Sequence, residues 1–291
     1  MGEIEELDDG VYQLHYDFLD HNIGVVVGGE SVLVIDTRAT HRQARELKKD
    51  IGRITKLPVE WAVNSHWHWD HTWGNWEFRA SEVWGHDACR RRLVDHGEAD
   101  KAAVLDRVPE SLPAMMGMTA EELALMGMTP EEFRAELAET VIVPPEQVFK
   151  RTASIDIGGR TVELSYFGRG HTDSDIVVAP SNSDVVFAGD LIEEGYPPVF
   201  RDAYPMDWPA TLRSVSDGVA RLAVPGHGRP VSAAFVEGQL EEITRVAELV
   251  AGVHAEEISR EEAFRESPYP ADTMEFALTR GLQQLDGSPP A

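Results

Sequence analysis

The chain has a single cysteine, Cys89, among 291 residues. No internal disulfide can form, which fits a reducing compartment and leaves Cys89 to be read as a small buried residue. No apolar run approaches the ~20 residues needed to cross a bilayer. The amino-terminal MGEIEELDDG is acidic and lacks the basic stretch and apolar run of a signal peptide. The expectation from these absences is a cytoplasmic protein with no membrane partner. Basic residues are also scarce, with 26 Lys and Arg against 51 Asp and Glu and a net charge of -25. Nucleic acid is therefore not an expected partner, because non-specific binding rests on basic patches that neutralise phosphates. The same charge disfavours an anionic membrane surface, and its plain role is solubility.

An apolar fraction of 42% and a charged fraction of 26% are those of an ordinary globular protein. The length suffices for a core without metal or disulfide staples. Val11 to Tyr16 alternates like a half-buried strand, and Ile23 to Val27 and Val32 to Ile35 are β-branched runs joined by a Gly28-Gly29 turn. His41 to Ile51 has helical spacing, with Ala44, Leu47 and Ile51 on one face. Strands follow at 60–64 and 83–84. After Pro144-Pro145 they return at 155–157, 161–167, 176–179, 185–188 and 223–224. Two rounds of strand and helix with no flexible linker predict one α/β domain over 1–291, a sandwich of two related halves. Residues 98–148 form an acidic, methionine-rich helical insertion. MGMTAEEL and MGMTPEEF repeat within it ten residues apart. Thr119 with Glu122 and Thr129 with Glu132 fit capping boxes, and Pro130 fits a first helical position. The sharper reading of the insertion is a lid, since methionine surfaces adapt their shape. Residues 232–291 read as a carboxy-terminal helical segment.

The densest chemistry lies in SHWHWDHTWG, residues 65–74. Side chains two apart in an extended segment share a face, so His66 and His68 point together and Trp67 and Trp69 point away toward the core. A turn at Asp70 brings Asp70 and His71 to the same mouth. Imidazoles and a carboxylate crowded there are costly to bury unless divalent cations satisfy them. Zinc suits this donor set first, and iron or manganese also fit. Three more residues stand beside glycines after strands: His171 in GRGHTDSD, Asp190 in FAGDLIE and His227 in VPGHGRP. Strand carboxyl ends are where α/β sheets place ligands.

The ordered set H-x-H-x-D-H, G-H-T, G-D and P-G-H-G resembles the metallo-β-lactamase superfamily of binuclear hydrolases over roughly residues 10 to 235. VLVIDT, Val32 to Thr37, matches a further strand of that family. The resemblance implies a four-layer αββα sandwich carrying the acidic helical insertion and the carboxy-terminal helices as additions. It also implies two zinc ions per chain. His66, His68 and His171 would hold one ion, Asp70, His71 and His227 the other, and Asp190 would bridge them. A hydroxide between the ions would attack an ester-like carbonyl, with Asp70 orienting it as the catalytic residue. Asp36 would orient a ligand histidine. His15, His21, His41, His86, His96 and His254 are read as structural. Trp73 and Trp76 are candidates to line an apolar substrate pocket, and Tyr196 and Arg201 are weaker candidates for substrate contact.

The expected substrate is a small acyl compound such as a thioester or a lactone. A β-lactam fits less well, because antibiotic-destroying members work outside the cytoplasm. Glutathione thioesters would call for basic residues that the acidic carboxy terminus lacks. The family's nucleases conflict with the net charge. The alternative from another class is a mononuclear iron persulfide dioxygenase holding its metal with His66, His171 and Asp190. A complete second set, Asp70, His71 and His227, favours two ions. Flavodiiron reductases usually carry glutamate where His68 stands. A metal-bound sensor without turnover ranks last. Oligomeric state is not legible in the sequence.

Overall fold

The computed structural model describes residues 1–107, 128–219 and 221–287. Seven strands form one sheet in chain order: β1 (Glu3–Asp8), β2 (Val11–Tyr16), β3 (His21–Val27), β4 (Val32–Ile35), β5 (Val59–Val63), β6 (Glu82–His86) and β7 (Gln147–Phe149). Pairing is antiparallel from β1 to β4 and parallel from β4 to β7. The second sheet holds β8 (Thr152–Asp156), β9 (Thr161–Ser165), β10 (Val177–Pro180), β11 (Val185–Gly189) and β12 (Leu222–Pro225). It is antiparallel except for the parallel pair β11 and β12. The helices are α1 (His41–Ile54), α2 (Trp69–Thr72), α3 (Asp87–Arg107), α4 (Pro130–Glu139), α5 (Trp208–Gly218), α6 (Ala233–His254), α7 (Arg260–Glu266) and α8 (Ala271–Leu285).

Three apolar clusters join these elements. Val11, Leu33 and Val63 of the first sheet meet Val162, Val178, Phe187 and Val224 of the second, so the sheets face each other. Leu14, Val25, Val34 and Ala62 on the other face of the first sheet take Ala44, Leu47 and Ile51 of α1. Val177, Val186 and Ala223 on the other face of the second sheet take Trp208 and Leu212 of α5, Ile243 and Val250 of α6, and Met274 and Leu278 of α8. The residues at i, i+3 and i+7 of α1 are thus the buried stripe their spacing predicts. Thr40 caps that helix by accepting from Gln43 N.

Three elements escape a reading by hydrophobic pattern. β1 is the acidic EIEELD, an edge strand whose charged side chains suit an unpaired border. β7 has three residues and pairs with β6, so the strand begins inside the range 98–148. α5 shows Trp208, Thr211, Leu212 and Val215 buried at helical spacing, a stripe interrupted by a polar threonine. α3 also runs unbroken through residue 98. The capping box at Thr129 and Glu132 is formed, with Pro130 in the first turn of α4. The box expected at Thr119 and Glu122 lies outside the described residues. Among the described residues no helix is long and apolar enough to cross a membrane.

At one end of the facing sheets, five segments come together: the ends of β4, β5, β11 and β12 and the start of β3. Backbone bonds stitch them. Asn22 N donates to Gly226 O at 2.8 Å, Gly228 N to Asp20 O at 2.8 Å, and Ile176 N to Ser65 O at 2.8 Å.

Candidate functional site

The chain leaves β5 through Asn64 and Ser65 and enters the single turn of α2. Asp36, just past β4, sets the shape of that passage. Its carboxylate accepts from Ser65 N and from Ser65 Oγ, each at 2.7 Å, and faces His71 Nδ1 at 2.8 Å. Asp36 holds φ 69°, a left-handed conformation that a short polar side chain tolerates when its surroundings fix it. His66, Asp70 and His71 are all buried here.

Two groups of donors converge. In the first, His66 Nε2 lies 3.0 Å from His68 Nδ1, and His171 Nε2 lies 2.8 Å from the same Nδ1. Asp190 Oδ2 is 3.6 Å from His66 Nε2 and 3.4 Å from His171 Nε2. In the second, Asp70 Oδ2 is 3.5 Å from His71 Nε2 and 3.3 Å from His227 Nε2. Asp190 reaches this group as well, Oδ1 at 3.4 Å from His71 Nε2 and Oδ2 at 3.5 Å from His227 Nε2. Asp190 therefore stands between the two. His21 joins the second group: its ligand atom and those of Asp70, His71 and His227 all lie within 4.8 Å of one another. Glycine is required at Gly226, where any Cβ would run into Asp190 Oδ1, and at Gly189, whose φ is 52°.

The far side of each ring matters as much. His71 turns Nδ1 to Asp36, and His227 turns Nδ1 to Leu19 O at 2.7 Å. His66 Nδ1 faces Ser65 Oγ at 3.0 Å, and His68 Nε2 faces Asp202 Oδ2 at 3.3 Å. His171 Nδ1 lies 3.6 Å from Glu193 Oε1. On His66, His68, His71 and His227 one nitrogen is thus engaged outward and the other is left for the centre, the arrangement metal-ligating histidines adopt, while His171 Nδ1 makes no hydrogen bond. Asp190 Oδ1 is buried without a hydrogen-bond partner, a costly state for a carboxylate that a cation would relieve. Donor set, tautomers and orphaned oxygen all fit divalent ions of the zinc type.

The electrostatics follow from this crowding. Burial alone raises Asp70 and Asp190, but His71 and His227 outweigh it and hold both carboxyls below their ordinary range. Burial pushes His66 down, and takes His171 down to about 3, so both imidazoles stay neutral and free to ligate. Burial raises Glu193 well above its usual value, reinforced by Asp190.

All seven residues expected from sequence, His66, His68, Asp70, His71, His171, Asp190 and His227, meet at this one place, and Asp36 lies behind His71 as anticipated. Sequence reasoning missed three others. His21 was grouped with the structural histidines. Counting the β3–β4 hairpin register from the Gly28-Gly29 turn pairs Gly24 with Ile35 and would have carried His21 past Asp36. Glu193, which is buried, and Asp202, which is partly exposed, stand in loops where no periodic signal marks a carboxylate that faces a histidine ring.

The tryptophans divide differently from expectation. Trp73 is no pocket wall, because it is buried in a cluster with Phe18, Ala39, Phe133 and Leu137. Trp76 is exposed, with Arg79 stacked on it. Trp69 is half-buried against Phe18, Trp73 and Phe133, and Trp67 donates to Asp173 at 3.2 Å. Tyr196 is exposed, and Arg201 packs over Phe276.

Residues 16–227 match the family described as the metallo-beta-lactamase superfamily. A linear primary-alkylsulfatase from Pseudomonas sp. (strain ATCC 19151) is 23% identical over 241 residues, covering 77% of this chain and 44% of that protein. The chain thus spans less than half the length of that curated relative. Among solved structures, a metallo-beta-lactamase from Pontibacter korlensis superposes with a TM-score of 0.62 at 18% identity, over 84% of this chain and 99% of that one. The DIM-1 metallo-beta-lactamase exposed to ceftazidime gives 0.61 at 17% identity, over 84% and 96%. TMB-1 gives 0.60 at 20%, over 84% and 98%. At these identities the structures share the fold.

Proposed function

From the premise that this chain belongs to the metallo-beta-lactamase superfamily, we propose that it is a hydrolase with two zinc ions, cleaving an ester-like bond in a small acyl substrate. The observation that carries this reading is Asp190, whose two carboxylate oxygens face both histidine groups at 3.4–3.6 Å. His66, His68 and His171 would hold one ion, Asp70, His71 and His227 the other, and Asp190 both. When bound, such ions supply Lewis acidity and a water of lowered pKa.

The chain's own groups supply the rest. Asp70 stays ionised at neutral pH, and its Oδ2 accepts a hydrogen bond from the attacking water, which fixes the orientation of that water. Neutral His66 and His171 keep their inward nitrogens unprotonated. Asp36 holds the His71 ring through Nδ1, and Leu19 O holds His227.

A second reading has its own support: the relative of 23% identity is an alkylsulfatase, so a sulfate ester is a competing substrate class. Metal content of the purified protein, measured with a panel of thioester, lactone, β-lactam and alkyl sulfate substrates, tests both. Two zinc ions per chain with turnover of an acyl substrate is the expected result. Turnover of alkyl sulfate alone would move the substrate to the second reading. One iron per chain with oxygen consumption on a persulfide would replace the hydrolase by a dioxygenase.

A further inference from the structure

Resting on the binuclear reading above, we propose that His21 is a sixth histidine of the centre, a direct ligand of the second ion beside Asp70, His71 and His227. Neither the motif nor the resemblance assigns it this role. Its ring centroid lies 4.7 Å from that of His71, at 80°, and 5.0 Å from that of His227. These spacings match those inside the first group, where His66, His68 and His171 stand 4.6–5.0 Å apart. The donor atoms of the second group meet the same 4.8 Å limit as the first.

His21 also lacks the partners a structural histidine finds. It is 1% exposed, and its Nε2 has no hydrogen-bond partner. Buried polar nitrogens are nearly always paired. Three other histidines read as structural have such partners: His15 meets Asn22 and Asp20, His41 receives Val141 N, and His86 faces Lys150 O. His21 instead turns its ring toward two imidazoles and a carboxylate.

The backbone fixes it there. His21 and His227 form an isolated antiparallel bridge between the first sheet and the segment after β12. Asn22 Nδ2 donates to Pro225 O at 3.0 Å and to Gly228 O at 2.7 Å. With His21 included, the second site offers three imidazoles and the Asp70 carboxylate, the first offers three imidazoles, and Asp190 stands between them.

The test reads metal directly. Zinc-loaded wild type and His21→Ala are dialysed against a graded series of chelator, and zinc per chain is measured. His21→Ala should release one ion at more than about a hundredfold lower chelator, beyond the 10–100-fold typical of residues behind the ligands, while the other stays at its wild-type strength. The wild-type protein loaded with cobalt provides a readout independent of the variant. Its paramagnetically shifted, exchangeable imidazole N–H signals should number six, one for each of His21, His66, His68, His71, His171 and His227. Five signals, or unchanged release from His21→Ala, would overturn the assignment while leaving the binuclear reading intact. A wild-type chain that binds a single ion would overturn the reading itself.

Discussion

The two sheets deliver their side chains to the same centre in opposite ways. The first sheet sends four from a single turn, His66 to His71, within six residues. The second sends His171, Asp190 and His227 from three separate connections, each after a different strand. A compact turn keeps its internal geometry through its own bonds, chiefly those to Asp36. Dispersed residues keep theirs only if whole strands stay in register. The first arrangement announces itself in sequence, and the second depends on tertiary structure.

The largest expected effect lies where the two arrangements meet. Asp190→Ala should weaken the hold on both ions by more than about a hundredfold, beyond the 10–100-fold typical of residues behind the ligands. Metal analysis after dialysis checks this, and one ion left at wild-type strength would break the picture of a shared carboxylate. Next comes the compact turn. Asp36→Ala removes the acceptor of Ser65 N, of Ser65 Oγ and of the His71 ring together, and should cost ~10–100-fold in affinity for the second ion. Calorimetric titration of the metal-free variant would read it.

The connection carrying His171 rests on a different carboxyl. Asp175 accepts from Thr172 N and Thr172 Oγ1, each at 2.7 Å, and burial pushes it up to about 7. A raised folded value means that between pH ~4 and ~7 the folded chain holds a proton the unfolded chain has lost. Stability from this group is full below that window and falls as pH rises through it, by at most ~1.4 kcal/mol per pH unit. Urea unfolding of chelated protein across this range should show a shallower decline in Asp175→Asn. An equal decline would place the titration elsewhere. The smallest effect is expected at Asp202. It faces His68 Nε2, but it also lines a cavity of about 230 Å³ with Trp67, Arg92, Tyr204 and Arg280. Water there can substitute for its carboxylate, so Asp202→Ala should cost under about tenfold in affinity for the first ion. A loss matching that of Asp36→Ala would show that exposure does not weaken such a support.

Much of this was legible beforehand. The strand runs, the α1 stripe and the seven clustered residues could all be read from local pattern, because each obeys a short period or sits in a motif. β1 was hidden by its acidic side chains, since an edge strand needs no apolar face. Trp73 was misjudged because a tryptophan beside a site says nothing of which way the turn after α2 points it. His21 was missed because its neighbours at the centre are 50 and 206 positions away along the chain, and only the hairpin register links them. Asp202 and Glu193 lay beyond reach, since a carboxylate behind a ring is defined by packing alone.

The bridge between His21 and His227 gives the centre a mechanical meaning. Cations lodged between the strand ends would act as a clasp, fastening the two halves of the sandwich at one edge. Stripping them should let that edge breathe, so that amide protons of Asn22 and Gly226 exchange with solvent sooner than those deep in the strands. Chelation would then be felt as loosening of the scaffold as well as loss of turnover.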